Sequence, residues 1–142
     1  MTSLKSNNCA LCSNQKYPII WSNNVIRILL INDHNYPGYC RVDLISHVKE
    51  MTDLDEDIRN MIMEVVFMVE KFIREYLKPD KINLASLGNI TPHLHWHIIP
   101  RNFDDSHFPE SIWSARKKLY DKEFSEHEEI KFIDYINNKL GQ

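Results

Sequence analysis

The chain has 142 residues, of which 43% are hydrophobic and 11% aromatic, so it is long and apolar enough for one domain with a substantial core rather than a disordered scaffold. Its formal net charge of −3 argues against broad electrostatic binding to nucleic acid, which is usually met by a basic stripe. The polar N-terminus lacks the apolar core of a signal peptide, and no apolar stretch approaches a membrane span, so we expect a cytoplasmic protein with neither membrane nor nucleic-acid partners.

The first half of the chain is predicted to form three strands and a long helix. Segments 17–21 and 25–31 are separated by a short polar turn, which favours an antiparallel pair, and segment 39–45 alternates well enough to be a third strand. Apolar residues then recur at helical spacing over 54–76. Pro79 disfavours helical geometry before it, so the helix should end just upstream.

The second half is predicted to add two strands and two helices. Segment 82–87 has strand character and leads through the loop 88–92 into a strand over 93–99. Helices are expected around 111–121 and 125–140. The predicted architecture is therefore α+β, with a mainly antiparallel sheet, one long helix packed on it, and helices at the C-terminal end.

An alternating histidine triplet dominates the second half. In a strand, His93, His95 and His97 project from one face, while the apolar residues between them project from the other. An imidazole can act as base, acid, nucleophile or metal ligand near neutral pH. Three of the seven histidines fall within five positions, which is hard to explain as ordinary structural histidines because three polar rings would need buried partners together. The triplet therefore predicts a chemically active face.

The triplet segment resembles the signature of the histidine triad (HIT) family, in which three histidines alternate with hydrophobic residues. Pro100-Arg101 after it, Gly88-Asn89 before it and the upstream strand order are also similar to that family. The resemblance implies a single HIT-like domain over 1–142 that forms a homodimer. Within it, 1–16 would be an N-terminal segment with a zinc half-site, and 114–142 a helical C-terminal extension.

The resemblance also implies an activity, that of a nucleotidyl hydrolase or transferase. Such enzymes cleave dinucleoside polyphosphates, such as diadenosine tetraphosphate, or nucleoside phosphoramidates at the α-phosphorus. The middle histidine, His95, would be the nucleophile that forms a nucleotidyl-histidine intermediate, which water then hydrolyses. His97 would assist at the phosphate and His93 would brace the catalytic group, and the chemistry would require no cofactor.

Substrate-binding residues follow from the same resemblance. Asn32 and Asp33 fall where family members hold the ribose hydroxyls, although both residue types also favour ordinary turns. Backbone N–H groups of the loop before the triplet can stabilise charge on the phosphoryl oxygens. In that loop, Asn89 stands where many members carry glutamine and is one methylene shorter. The candidate binding residues are Asn32, Asp33, Asn83, Gly88, Asn89 and Thr91.

A cysteine pair near the N-terminus indicates a metal half-site or a redox pair. Some family members bind structural zinc through such a pair, a histidine after the third strand and the first triad histidine. The matching residues are Cys9, Cys12, His47 and His93, a donor set suited to tetrahedral zinc. Other members lack zinc, so a reduced and idle cysteine pair is the alternative.

Two other functions remain open from the sequence. The triplet His93, His95 and His97 can instead bind a catalytic cation, because alternating strand histidines are also a common metal platform. The pocket can also belong to a nucleotide sensor that does not catalyse hydrolysis. Downstream, His107 is predicted to lie in a surface loop, and Arg101 to steer a phosphate or to form an exposed salt bridge.

Overall fold

The computed structural model describes residues 5–6, 8–13, 16–32, 35–119 and 122–141. Two α-helices, α1 (Glu56–Leu77) and α2 (Glu126–Leu140), accompany a short 3-10 helix at Met51–Asp53. The five strands are β1 (Ile19–Ser22), β2 (Ile26–Leu30), β3 (Cys40–Leu44), β4 (Lys81–Ala85) and β5 (His95–Arg101).

The strands form one sheet in the order β1-β2-β3-β5-β4, and every neighbouring pair is antiparallel. The predicted α+β architecture, with an antiparallel sheet and one long helix, is confirmed. Strand β5, which contains His95 and His97, lies between β3 and β4, so hydrogen-bonded neighbours hold it on both sides. The sheet therefore provides a rigid base for these two histidines.

Helices α1 and α2 cover one face of the sheet. The apolar stripe of α1 contacts β3 and β5, and α2 packs against α1 and β1. As predicted, α1 ends just before Pro79, with Lys78 in the left-handed conformation as its C-cap. No helix in the described part of the chain is long and apolar enough to cross a membrane. The buried helical residues are Ile62, Val65, Val66, Val69 and Ile73 of α1, and Phe132, Ile136 and Leu140 of α2.

The opposite face of the sheet has a smaller apolar cluster and contains two of the triplet histidines. Because strand side chains alternate, His95, His97 and Ile99 of β5 share this face, which we call the histidine face. A turn at Gly38, whose φ is +90°, brings Tyr39 onto it. The apolar cluster of this face consists of Leu29, Ile31, Tyr36, Tyr39, Ile99 and Ile112.

The start of β5 differs from the sequence prediction. The strand was expected to include His93, but it begins at His95. The preceding residue, Leu94, instead donates its backbone N–H to the Val48 carbonyl and accepts from the Leu44 N–H. These bonds hold His93 beside the segment that leaves β3, so its ring does not continue the row formed by His95 and His97.

The predicted helix around 111–121 is absent from the described residues 111–119, which form turns. The backbone N–H of Lys117 donates to the Ser106 carbonyl, and Ile112 is the buried apolar residue of this segment. One buried apolar side chain does not make the stripe that a packed helix requires. The C-terminal region of the described chain therefore contains α2 and not two helices, and tertiary contacts hold 111–119 against the loop after β5.

Candidate active site

His95 and His97 form the centre of the histidine face. Each is 8% exposed, and their rings lie 4.8 Å apart between centroids at an interplanar angle of 87°. Directly across from them on β3 are Asp43, which pairs with His95, and Arg41, which pairs with His97. Directly opposed residues of an antiparallel pair project from the same face. Two imidazoles and two charged side chains therefore share a small area of the sheet.

The hydrogen bond of His95 determines which of its nitrogens can react. Its Nδ1 lies 2.6 Å from the backbone carbonyl oxygen of His93. A carbonyl oxygen only accepts hydrogen bonds, so Nδ1 must carry the proton and donate it. In the neutral ring, Nε2 then keeps its lone pair. His95 is thus prepared as a nucleophile or base at Nε2.

The aromatic side chains of Tyr39 and Trp113 contact His97. The Tyr39 hydroxyl lies 2.5 Å from His97 Nδ1, and the Trp113 ring lies 4.9 Å from the His97 ring between centroids. Trp113 belongs to the turns after β5, which the sequence had predicted to be helical. These contacts restrict the orientation of the imidazole, so its Nε2 has a defined direction.

His93 is separated from the other two histidines. It is 1% exposed, and its Nε2 lies 2.6 Å from the Leu44 carbonyl oxygen, which fixes the proton on Nε2 and leaves a lone pair on Nδ1. Burial lowers the pKa of His93, so the ring is neutral at physiological pH. A buried neutral imidazole with a free lone pair is a good metal ligand.

The lone pair of His93 faces three other potential ligands. Its Nδ1 lies 3.3 Å from Cys9 Sγ, 3.4 Å from Cys12 Sγ and 3.2 Å from His47 Nδ1. The four ligand atoms lie within 4.8 Å of one another. Ligands of tetrahedral zinc are separated by roughly 3.3–3.8 Å, given Zn–N and Zn–S bonds of about 2.0 and 2.3 Å. The residues present therefore fit a zinc ion.

The protonation state of the cysteines affects metal binding at this cluster. Burial raises the pKa of the Cys12 thiol, so without a cation it keeps its proton at neutral pH. A bound metal replaces that proton, because zinc binds the thiolate. Metal binding at this cluster is therefore expected to release protons and to weaken in acid.

The loop before β5 lies next to His95. Gly88 has φ of +73°, a conformation that other residues rarely adopt, and Asn89 is exposed. The Thr91 carbonyl accepts a hydrogen bond from the His93 backbone N–H, which closes the loop. Gly88, His95 and Trp96 contribute to the lining of a cavity of about 260 Å³ at this end of the sheet.

The other predicted binding residues lie at two different places. Asn32 is exposed at the end of β2, where its side-chain amide donates to Glu129 of α2 over 3.4 Å. Asn83 of β4 accepts a hydrogen bond of 2.8 Å from Arg101. Asp33 lies outside the described residues. The structure thus brings His95 and His97 together, and it places Asn32 and Asn83 in contact with groups outside the histidine triplet.

Arg101 is not an exposed side chain. It is 2% exposed, and its guanidinium forms a bidentate pair with Asp105 at 2.8 and 3.0 Å. Burial alone would raise the pKa of the Asp105 carboxyl, but Arg101 and the backbone N–H groups of the same loop lower it to about 2. The pair anchors the loop after β5 to the sheet.

Tyr36 and His107 extend this anchor, and His107 lies half-buried in the loop after β5, where its ring packs against Tyr36. The Tyr36 hydroxyl lies 2.6 Å from His107 Nδ1 and 3.3 Å from an Asp105 carboxylate oxygen. Burial, with the negative charge of Asp105, raises the pKa of Tyr36 to about 12. The phenol therefore stays protonated and links the loop to the segment before β3.

Sequence reasoning missed three buried polar residues on the histidine face, namely Tyr39, Asp43 and Asp105. Asp43 is fully buried and holds Arg41 at 2.6 and 3.0 Å, with Arg27 3.6 Å away. The alternation of 39–45 places Tyr39 and Asp43 on one strand face, so the sequence pattern could have shown that these two residues share a face. The pairing of that strand with β5 was needed to bring them to the histidines.

Comparison with known proteins gives one family. Residues 13–104 match the sequence model of the HIT domain. A search of curated proteins finds no match. The matched region includes the histidine triplet and ends within the loop after β5.

Solved structures agree in fold. A histidine triad protein from Bradyrhizobium japonicum is 26% identical, with a TM-score of 0.80 and coverage of 98% of this chain and 99% of that one. A histidine triad protein from Marinobacter aquaeolei is 23% identical, with a TM-score of 0.74 and coverage of 89% and 90%. A zinc-bound histidine triad family protein from Mycobacterium smegmatis is 18% identical, with a TM-score of 0.64 and coverage of 95% and 94%.

Proposed function

Because this chain belongs to the histidine triad (HIT) family, we propose that it is a nucleotidyl hydrolase or transferase that acts at the α-phosphorus of nucleoside phosphates. The substrates are dinucleoside polyphosphates, such as diadenosine tetraphosphate, or nucleoside phosphoramidates. The observation that carries the proposal is the hydrogen bond from His95 Nδ1 to the His93 carbonyl, because it leaves the His95 Nε2 lone pair available for attack.

The reaction has two displacements at phosphorus. In the first, His95 Nε2 attacks, the new N–P bond forms, and the bond to the leaving group breaks with its electron pair departing on that group. In the second, water attacks the same phosphorus, loses a proton, and displaces the imidazole as nucleoside monophosphate is released. Two easier steps replace one difficult displacement, and His95 returns to its starting state.

Stabilisation of the phosphoryl oxygens is assigned to His97 and to the loop of Gly88, Asn89 and Thr91. A donor fixed before charge develops lowers the barrier without reorganisation. The contacts of His97 with Tyr39 and Trp113 support this role, because they fix its ring. The positive φ of Gly88 supports close approach of the loop backbone to a ligand.

The nucleoside is assigned to the other end of the histidine face. Asn32 and Asp33 would hold the ribose hydroxyls, as the family resemblance implies, and Asn32 is exposed there. Glu129 of α2, which now accepts from Asn32, would give up that contact when a ribose binds. Asn83 would contribute from β4, where Arg101 orients its amide.

Zinc is assigned a structural role at Cys9, Cys12, His47 and His93. Its presence would tie the N-terminal segment to the sheet and hold His93, whose carbonyl in turn orients His95. The distances among the four ligand atoms support this assignment. The M. smegmatis protein, which has the same fold, is described as zinc-bound.

This arrangement favours a histidine nucleophile over a metal platform built from the triplet. A platform needs the three rings to converge, but His93 Nδ1 points into the cysteine cluster and its Nε2 is engaged by Leu44. In the described chain, the group of four potential metal ligands contains neither His95 nor His97. A chelator is therefore expected to lower the free energy of unfolding, and to affect turnover only through that loss of stability.

The activity is tested by mixing the protein with diadenosine tetraphosphate and with adenosine 5′-phosphoramidate and measuring the release of adenosine monophosphate. His95→Ala should lower kcat by at least about 10⁴-fold, because removal of a nucleophile abolishes the covalent route. Mass spectrometry of a rapidly quenched reaction should find the nucleotidyl group on His95.

The matched control is His127→Ala, which removes an exposed histidine on α2 and should leave kcat unchanged. Full activity of His95→Ala, or a nucleotidyl group on another residue, would overturn the mechanism. Tight binding of the substrates without turnover in the parent protein would identify a nucleotide sensor instead.

We also propose that the chain forms a homodimer, as the family resemblance implies. Strand β4 is at the end of the sheet order, and a strand edge can pair with a second copy. Phe67 and Met68 expose apolar area on α1, which supports burial against another subunit.

A further inference from the structure

Tyr39, the residue just before β3, contacts His97 on the histidine face. It is 2% exposed, and its hydroxyl lies 2.5 Å from His97 Nδ1. Cys40 pairs with Ile98, so Tyr39 and His97 are diagonal neighbours across the two strands. The contact therefore follows from the register of the two strands.

The chemistry of this pair favours one direction of donation. A phenol O–H is a strong donor, and the bare nitrogen of a neutral imidazole is a better acceptor than a phenol oxygen. The favoured bond is therefore O–H···Nδ1. The ring proton of neutral His97 then resides on Nε2, the nitrogen on the far side of the ring.

We propose that Tyr39 is a positioning residue that holds His97 as the Nε2–H tautomer, so that a donor faces the phosphoryl oxygens during transfer. This inference rests on the proposed function for its role in the reaction. The opposite tautomer would present a lone pair to an anionic phosphate and repel it. The Trp113 ring lies 4.9 Å from the His97 ring between centroids and limits its rotation. The Tyr39 hydroxyl therefore determines the tautomer of His97, and the Trp113 indole determines the tilt of its ring.

The role differs from that of the bond between His95 and the His93 carbonyl. A backbone carbonyl cannot donate, so it places the proton of His95 on Nδ1 and makes Nε2 a nucleophile. A phenol can donate, so it places the proton of His97 on Nε2 and makes that nitrogen a donor. Neighbouring imidazoles on one strand thus receive opposite tautomers from their partners.

The test is Tyr39→Phe, which keeps the ring in the apolar cluster and removes the hydroxyl. With adenosine 5′-phosphoramidate as substrate, we expect kcat to fall about tenfold and KM to change by less than about threefold, because roughly one neutral hydrogen bond is lost. Nitrogen-15 NMR of the imidazole rings should show His97 as the Nε2–H tautomer in the parent and as a mixture in the variant. The spectrum of His97→Gln assigns the signals.

Tyr135→Phe is the matched control, because it removes a phenol that bonds Glu75 between α1 and α2, and it should change neither kcat nor the His97 signals. A Nδ1–H tautomer in the parent overturns the proposal, and so does a Tyr39→Phe variant with unchanged tautomer or unchanged kcat. If the parent hydrolyses no substrate, the proposed function fails, while the NMR comparison still decides whether Tyr39 orients His97.

Discussion

At the scale of single residues, the partner of one ring nitrogen decides what the other nitrogen can do. The three histidines of the triplet have the same side chain and are two residues apart, yet His93 meets a carbonyl at Nε2, His95 meets one at Nδ1, and His97 meets a hydroxyl at Nδ1. Under the proposed function, these partners would prepare a metal ligand, a nucleophile and a donor respectively. Identical side chains thus receive different hydrogen-bond partners from their nearest neighbours.

Asp105→Asn tests the ion pair that anchors the loop after β5. Loss of this carboxylate leaves the buried Arg101 guanidinium without its counterion, so we expect the free energy of unfolding at pH 7 to fall by about 3 kcal/mol. Urea unfolding measures the change. Glu110→Gln, at an exposed pair with Lys117, is the control and should have little effect.

The contribution of Asp105 to the free energy of unfolding depends on pH, and it decreases in acid. The pKa of Asp105 is about 2 in the folded chain, below its ordinary value of 3.8, so the ionised carboxylate contributes stability above about pH 4. That contribution disappears as pH falls from about 4 to 2. The stability gap between the parent and Asp105→Asn should therefore narrow over this range, and a constant gap would contradict the assignment.

At the scale of elements, local signals predicted the regular structure and failed where tertiary contacts competed. The 3.6-residue period of α1 and the stop before Pro79 are properties of the local sequence, and both were predicted. Helix α2 begins at a capping box of Ser125 and Glu128, a signal of the same kind. Residues 111–119, by contrast, are shaped by contacts with the loop after β5, which a local pattern does not contain.

The proposed zinc site joins three separate segments, namely the N-terminal segment, the segment after β3 and the residues just before β5, so its loss should lower the free energy of unfolding. Cys9→Ser,Cys12→Ser protein should contain almost no zinc, against about one ion per chain in the parent, by elemental analysis. A chelator should lower the unfolding free energy of the parent by roughly 2–3 kcal/mol, the linkage expected at about 100 Kd of free metal. The chelator should change the unfolding free energy of the Cys9→Ser,Cys12→Ser protein little.

Cys40→Ala is the matched control for metal content. Cys40 is a buried cysteine of β3 outside the cluster, so this variant should keep the zinc of the parent. Equal metal content in the parent and in the Cys9→Ser,Cys12→Ser protein would reject the site. It would leave the cysteine pair as a reduced and idle feature.

At the scale of the whole molecule, the proposed homodimer predicts a measurable mass in solution. Light scattering during size-exclusion chromatography should give about twice the chain mass of 16.9 kDa. Phe67→Glu should shift the mass towards the monomer if α1 contributes to the interface, because burial of an unpaired charge is costly. Ile130→Glu on α2, which is also an exposed apolar position, is the matched control. A parent protein that remains monomeric at all concentrations contradicts the proposal.

The sequence by itself determined the fold class, the five strands, the helices α1 and α2, and the strand that contains His95 and His97, because periodicity and turn residues act locally. The cysteine pair also indicated a metal half-site by its chemical type, and the family resemblance added His47 and His93. Only the tertiary structure decided that His93 turns towards Cys9 and Cys12, and that Tyr39 meets His97. It also decided that Arg101 is buried against Asp105. The reason is physical. Strand pairing brings Tyr39 to His97, packing of the N-terminal segment brings Cys9 and Cys12 to His93, and the conformation of the loop after β5 brings Asp105 to Arg101. A linear pattern of residues specifies none of these contacts.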